Sequence, residues 1–231
     1  MFDEKYATLQ AGDPAHVAAI VVCVAAVILC LAVMRRLKRD RFYECLVAAV
    51  MLLMEAVFLV WQFSAFGVGV EHLPLNLCTI SLYANALFLL LDRRGAAKYT
   101  AFFSIIGAAL SIAIPMQGYT FPHFRYIHYY GNHLLIILTS LYLLRELPLI
   151  RLKDMLLSEL VLMTFILAVI HPVNLAFGTE FMFFAVGEGY FSTVFAAKNL
   201  CMYLIAMTAH LAFFAVYRTV RLRKMTNNRQ K

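Results

Sequence analysis

The chain has 231 residues, 63% of them hydrophobic and 14% charged, where an ordinary soluble domain is about half apolar and about a quarter charged. A soluble globule is excluded, and since each bilayer span takes about 20 apolar residues, seven spans would use about 140 of them and leave only short loops. The formal net charge of +7 reads as membrane topology rather than nucleic-acid binding, because the basic residues are grouped loop by loop.

In chain order, the long apolar runs predict an all-α polytopic bundle of seven transmembrane helices, at about 15–34, 42–66, 73–91, 99–115, 128–144, 155–171 and 194–217. Together they form one integral membrane domain over 1–231. The first run is not a cleaved signal peptide, because its flank is net acidic and no small-residue cleavage pattern follows. Of the 20 Lys and Arg, 17 lie in Arg35–Arg41, Arg93–Lys98, Arg145–Lys153 and the tail from Arg218. The positive-inside rule then predicts an external N-terminus and a cytoplasmic C-terminus in a plasma membrane. No internal repeat marks an inverted-repeat transporter.

Polar residues fall on helical stripes: Glu44, Glu55 and Gln62; Cys78, Ser81 and Asn85; His133 and Ser140; Thr164, His171 and Asn174; Asn199 and His210. Such groups at membrane depth face partners or a wet cavity, so five helices turn a polar face inward. The first and fourth are expected to be peripheral or structural, the fourth offering only a small-residue face of Ser104, Gly107, Ala108 and Ser111. Two loops stand out, the aromatic 115–127 and the mostly apolar 174–193, which could form a lid.

The five cysteines are odd in number and lack C-x-x-C spacing, so neither a disulfide framework nor a zinc site is expected. Cys23, Cys30, Cys45 and Cys201 read as small hydrophobes. Cys78 differs. It and His133 would each lie five residues into parallel helices, about 7.5 Å below the membrane boundary at 1.5 Å per residue, at the level of phospholipid ester groups. An imidazole that takes the proton of a buried thiol makes a nucleophile.

The run His72–Ser81 (HLPLNLCTIS), followed by Pro122–Ile137 (PHFRYIHYYGNHLLII), resembles the bacterial YwaF-like integral membrane proteins, relatives of the transmembrane protein 164 acyltransferase family. It is more distantly similar to the androgen-induced hydrolases. The resemblance implies acyl transfer through a thioester, with Cys78 as nucleophile and His133 as its partner. Asn76 departs from the pattern, in which histidine is expected.

The mechanism expected is attack of Cys78 on a phospholipid ester carbonyl, with His133 as base and a lysolipid or water as acceptor. Candidates for orienting His133 or holding the oxyanion are Gln62, Asn76, Tyr129, Asn132, His171 and Asn174. Arg125, His128 and Lys198 are candidates for the lipid phosphate. No cofactor is expected, and no metal, because His128 and His133 lie about 140° apart on a helix. The rival reading is a small-molecule or proton-coupled transporter using Glu44, Glu55 and His210. A retinal protein is disfavoured by the terminal position of Lys198 and the lack of a counter-ion aspartate on the third helix.

Overall fold

Each helix begins and ends where local chemistry dictates. In the computed structural model, residues 8–34, 38–183 and 193–229 are described, and they form eight helices with no strand. Helix α1 spans Pro14–Met34 and α2 Arg41–Phe66, with Asp40 capping α2 by accepting from the Phe42 amide at 2.8 Å. A 3-10 turn at Val70–His72 leads into α3, Leu77–Leu90. A second, at Arg94–Tyr99, leads into α4, Ala101–Ala113.

Helix α5, Phe124–Glu146, is capped by His123, whose Nδ1 accepts from the Arg125 amide at 3.0 Å. Helix α6, Leu152–Phe165, continues through a π turn at Ile166–Ile170 into α7, His171–Phe177. Gly178, with φ of 67°, ends α7 in the left-handed conformation that glycine tolerates best. A short turn at Phe181–Phe183 follows, and α8 runs over Thr193–Arg229.

The expected bundle of seven transmembrane helices is corrected by these lengths. Among the described residues only three helices are long and apolar enough to cross a bilayer: Pro14–Met34, Arg41–Phe66 and the continuous rod Leu152–Phe177. Helices α3 and α4, with 14 and 13 residues, reach about 21 and 20 Å at 1.5 Å per residue, short of the hydrocarbon thickness of about 30 Å. Helix α5 has the length, but its first half carries Arg125, His128, Asn132 and His133, so no stretch of it is both long and apolar enough. The orientation inferred from seven alternating spans loses its basis with them. In each of the three long helices only 17% of the most apolar stretch is buried, which leaves a broad apolar face for lipid.

Helices α3, α4 and α5 form the centre instead. Helix α4 packs most closely against α5, and α3 lies against α2, α4 and α5. Of the two expectations for the fourth helix, packing favours the structural one over the peripheral: Phe102, Ser104 and Ala108 are buried almost completely. Its small residues allow the approach, since a Cβ on Gly107 would stand 3.2 Å from Leu77 Cδ2 and 3.9 Å from Cys78 Sγ. Asn85 ties α3 to α5 by donating to Thr139 Oγ1 at 3.0 Å and Ser140 Oγ at 2.8 Å.

The basic clusters meet at one end of the bundle. Glu44 is 5% exposed and accepts from Arg41 at 2.8 Å, from Tyr142 at 2.5 Å and from Arg94. Asp92 pairs with Arg39 and Arg94. Arg145 donates to the carbonyl of Met34, and Arg221 to those of Leu144, Arg145 and Leu147. These carbonyls lie at helix ends, where intrahelical donors run out, so the cations there close the ends of α1 and α5 as well as carrying charge.

Candidate active site

Cys78 sits in the first turn of α3, half-buried and not in a disulfide. Its Sγ lies 3.6 Å from Ser111 Oγ in the last turn of α4. The Ser111 carbonyl accepts from the Tyr129 hydroxyl at 2.8 Å, and that hydroxyl in turn accepts from the Met116 amide at 3.1 Å. On the same residue, the Tyr129 carbonyl lies 2.6 Å from His133 Nδ1, with the two rings 4.3 Å apart. Cys78 and His133 are thus joined through Ser111 and Tyr129, and no direct hydrogen bond links them.

The tautomer of His133 follows from its partner. A carbonyl can only accept, so Nδ1 carries the proton and Nε2 keeps its lone pair. Among the described residues Nε2 has no hydrogen-bond partner. Burial pushes the His133 pKa down to about 4, against the opposing Tyr129 carbonyl. Burial likewise raises the Cys78 thiol above its ordinary value, with the Ser111 hydroxyl acting the other way. The resting pair is a neutral thiol and a neutral imidazole, an arrangement suited to a base that takes the proton as the sulfur attacks.

Beside this pair lies a second polar group, built from α2 and α5. Asn132 Nδ2 is 3.1 Å from Glu55 Oε2 and 2.7 Å from His128 Nε2, and His128 Nε2 is 3.4 Å from Glu55. His128 Nδ1 accepts from Arg125 Nη1 at 2.8 Å. Arg125 rests on the face of Phe58, 4.3 Å from the ring centroid, while Phe58 stacks on His128. Burial lowers the Arg125 guanidinium to about 10, which keeps it charged at neutral pH. Both nitrogens of His128 are engaged, so it fixes Arg125 rather than offering a donor of its own. Arg125 still has donors beyond the one given to His128.

The other sequence-predicted residues are placed as follows. Gln62 Nε2 lies 2.8 Å from His72 Nδ1, a pairing that takes it away from His133. Asn76 stands at the N-cap of α3 without capping it, and its Oδ1 is 3.4 Å from the Met182 amide. Asn174 is fully buried and holds the turn after α7, donating to the Phe181 carbonyl at 3.1 Å and accepting from its amide at 3.0 Å and from Thr179 at 2.9 Å. His171 lies half-buried at the start of α7. The side chain of Lys198 lies outside the described residues, as does most of the expected lid beyond Phe183. Among the described residues no three His, Cys, Asp or Glu stand close enough to hold a metal.

Sequence reasoning missed Ser111, which it read only as packing, and Glu159, whose Oε1 lies 2.6 Å from His210 Nδ1 in a pair buried between α6 and α8. A signal for Ser111 was available in the small-residue face itself, since a hydroxyl in a row of Gly and Ala is more than close approach requires.

An α-helical bundle with three bilayer-length apolar helices and a polar centre on α3, α4 and α5 defines an integral, multi-pass membrane protein. The chain belongs to the TMEM164 family, whose model matches residues 11–218, and so to a family of lipid-modifying membrane proteins. No curated protein and no solved structure matched it.

Proposed function

We propose that this protein is a membrane-embedded lipid acyltransferase or lipid-ester hydrolase acting through Cys78, His133 and a thioester. The observation that carries the reading is the Ser111–Tyr129 unit, which holds the thiol on one side and leaves His133 Nε2 open on the other. Family membership supports the same reading.

In the first half-reaction Cys78 Sγ gives its proton to His133 Nε2 while attacking the ester carbonyl carbon of a phospholipid. The C–S bond forms, the C–O bond to the glycerol breaks, and the leaving oxygen takes the proton back from Nε2. In the second half, a lysolipid hydroxyl or water gives its proton to Nε2 and attacks the thioester, releasing the Cys78 thiol. Arg125, held by His128 and Phe58, supplies the cation for the lipid phosphate. For the oxyanion the donor we assign is the Asn76 amide nitrogen, because the Tyr129 hydroxyl and the Asn132 amide are already donating within the protein.

A test is the pH dependence of acyl transfer from a labelled phospholipid to a lysophospholipid in detergent. The base must be neutral to work. With its pKa lowered to about 4, His133 stays neutral down to that pH, so the rate is expected to hold constant from pH 8 to pH 5 and to fall as pH drops through about 4. An acid limb near pH 6.5, the ordinary histidine value, that persists in His133→Gln would show that another group is the base.

A further inference from the structure

We propose that Ser111 is the positioning residue for the Cys78 thiol and that Tyr129 registers this pair against His133, an inference that rests on the thioester reading of the site. Ser111 lies in the last turn of α4, where carbonyls lack intrahelical donors. The Tyr129 hydroxyl satisfies one of these, at Ser111, and takes the Met116 amide beyond the helix end. Two hydrogen bonds from one phenol therefore pin the segment that carries Ser111.

Leu77 and Gly107 bring α3 and α4 into close contact at the same level, so the 3.6 Å separation of Sγ and Oγ is set from both helices. Packing alone does not require the hydroxyl, since Gly107 and Ala108 make the same face without one. Through its carbonyl, Tyr129 also fixes which nitrogen of His133 bears the proton. One tyrosine thus sets the place of the thiol's partner and the protonation pattern of the base.

The chemistry needs no additional reactant. At rest the Ser111 oxygen accepts from the thiol. As the S–H proton passes to His133 Nε2, the hydroxyl rotates and donates to the developing thiolate, which favours the charged form. It withdraws again when the C–S bond forms.

The test is alkylation of Cys78 by iodoacetamide as a function of pH, read by peptide mass, alongside acyl-adduct formation from phospholipid. Wild type is compared with Ser111→Ala, Ser111→Thr and Tyr129→Phe. Ser111→Ala is expected to move the alkaline rise of Cys78 labelling to higher pH and to cut the acyl adduct at least tenfold. Ser111→Thr is expected to restore both, and Tyr129→Phe to act in the same direction as Ser111→Ala but more weakly.

Cys23, buried on α1, is the internal control and is expected to label alike in all four proteins. If Ser111→Ala does not yield folded protein, Tyr129→Phe carries the test, because it removes only the pin. An unchanged Cys78 profile in folded Ser111→Ala or Tyr129→Phe would overturn the positioning role. If the profile shifts as expected while wild type forms no acyl adduct, Ser111 positions the thiol and the thioester reading fails instead.

Discussion

Cys78→Ala is expected to abolish acyl transfer to the assay floor, a loss of about 10⁴-fold or more, while the protein folds and purifies as wild type. The sulfur is the atom that would carry the acyl group, and among the described residues it is the cysteine sulfur in contact with Ser111. Its replacement by a methyl group removes one half-buried atom and one weak hydrogen bond, so stability should change by about 1 kcal/mol or less. His133→Ala is expected to lose about 10² to 10⁴-fold, because the thiol can still ionise at high pH without a base. Activity in that variant should rise with pH where wild type is flat, since burial holds the thiol above its usual range. Lysolipid release that survives Cys78→Ala would remove the covalent mechanism. The rates would be measured by release and transfer of a labelled acyl chain.

Glu44→Ala is expected to be the most damaging substitution for the fold. Glu44 receives hydrogen bonds from Arg41, Arg94 and Tyr142, and the Arg94 side chain is itself only 10% exposed. Removing the carboxylate leaves a buried cation whose remaining acidic partners are the half-exposed Asp92 and, at 3.9 Å, Glu146. Breaking a buried pair from one side costs about 3–5 kcal/mol. For a chain of this size that corresponds to a fall of about 6–20 °C in the unfolding midpoint. Thermal unfolding in detergent is the measurement. A midpoint unchanged by Glu44→Ala, together with lost transport of some solute, would favour the transporter reading over the enzyme.

The helices were legible in the sequence because long apolar runs punctuated by charge have few alternatives. Their number as bilayer spans was not, because hydropathy cannot tell a run that crosses from one that is buried against neighbours. Leu77–Leu90 and Ala101–Ala113 are as apolar as true spans but end after 14 and 13 residues, and α5 is long but polar in its first half. Helical phase correctly turned Glu44, Glu55 and Asn85 inward, yet phase names a face and not a partner. Glu44 finds Arg94 from a turn 50 residues away, and His210 finds Glu159, which lay on no stripe.

The histidines illustrate the same limit. His16 spends both ring nitrogens on backbone groups at helix ends, His123 caps α5 through Nδ1, and His72 and His128 meet Gln62 and Arg125 through Nδ1. His133 meets the Tyr129 carbonyl through Nδ1, a partner on its own helix that phase alone does not name. Cys78 and His133 were reached by depth and by resemblance, whereas Ser111, and the part that Tyr129 plays in linking the two, emerge only when α4 is seen to pack against both α3 and α5.

The most direct test of the thioester mechanism is intact mass spectrometry of the purified protein after incubation with mixed phospholipids, comparing wild type, Cys78→Ala and His133→Ala. An acyl adduct that hydroxylamine removes is expected on wild type, none on Cys78→Ala, and little on His133→Ala at neutral pH. Lysolipid formed by wild type with no adduct at any time, or an adduct that persists in Cys78→Ala, would contradict it.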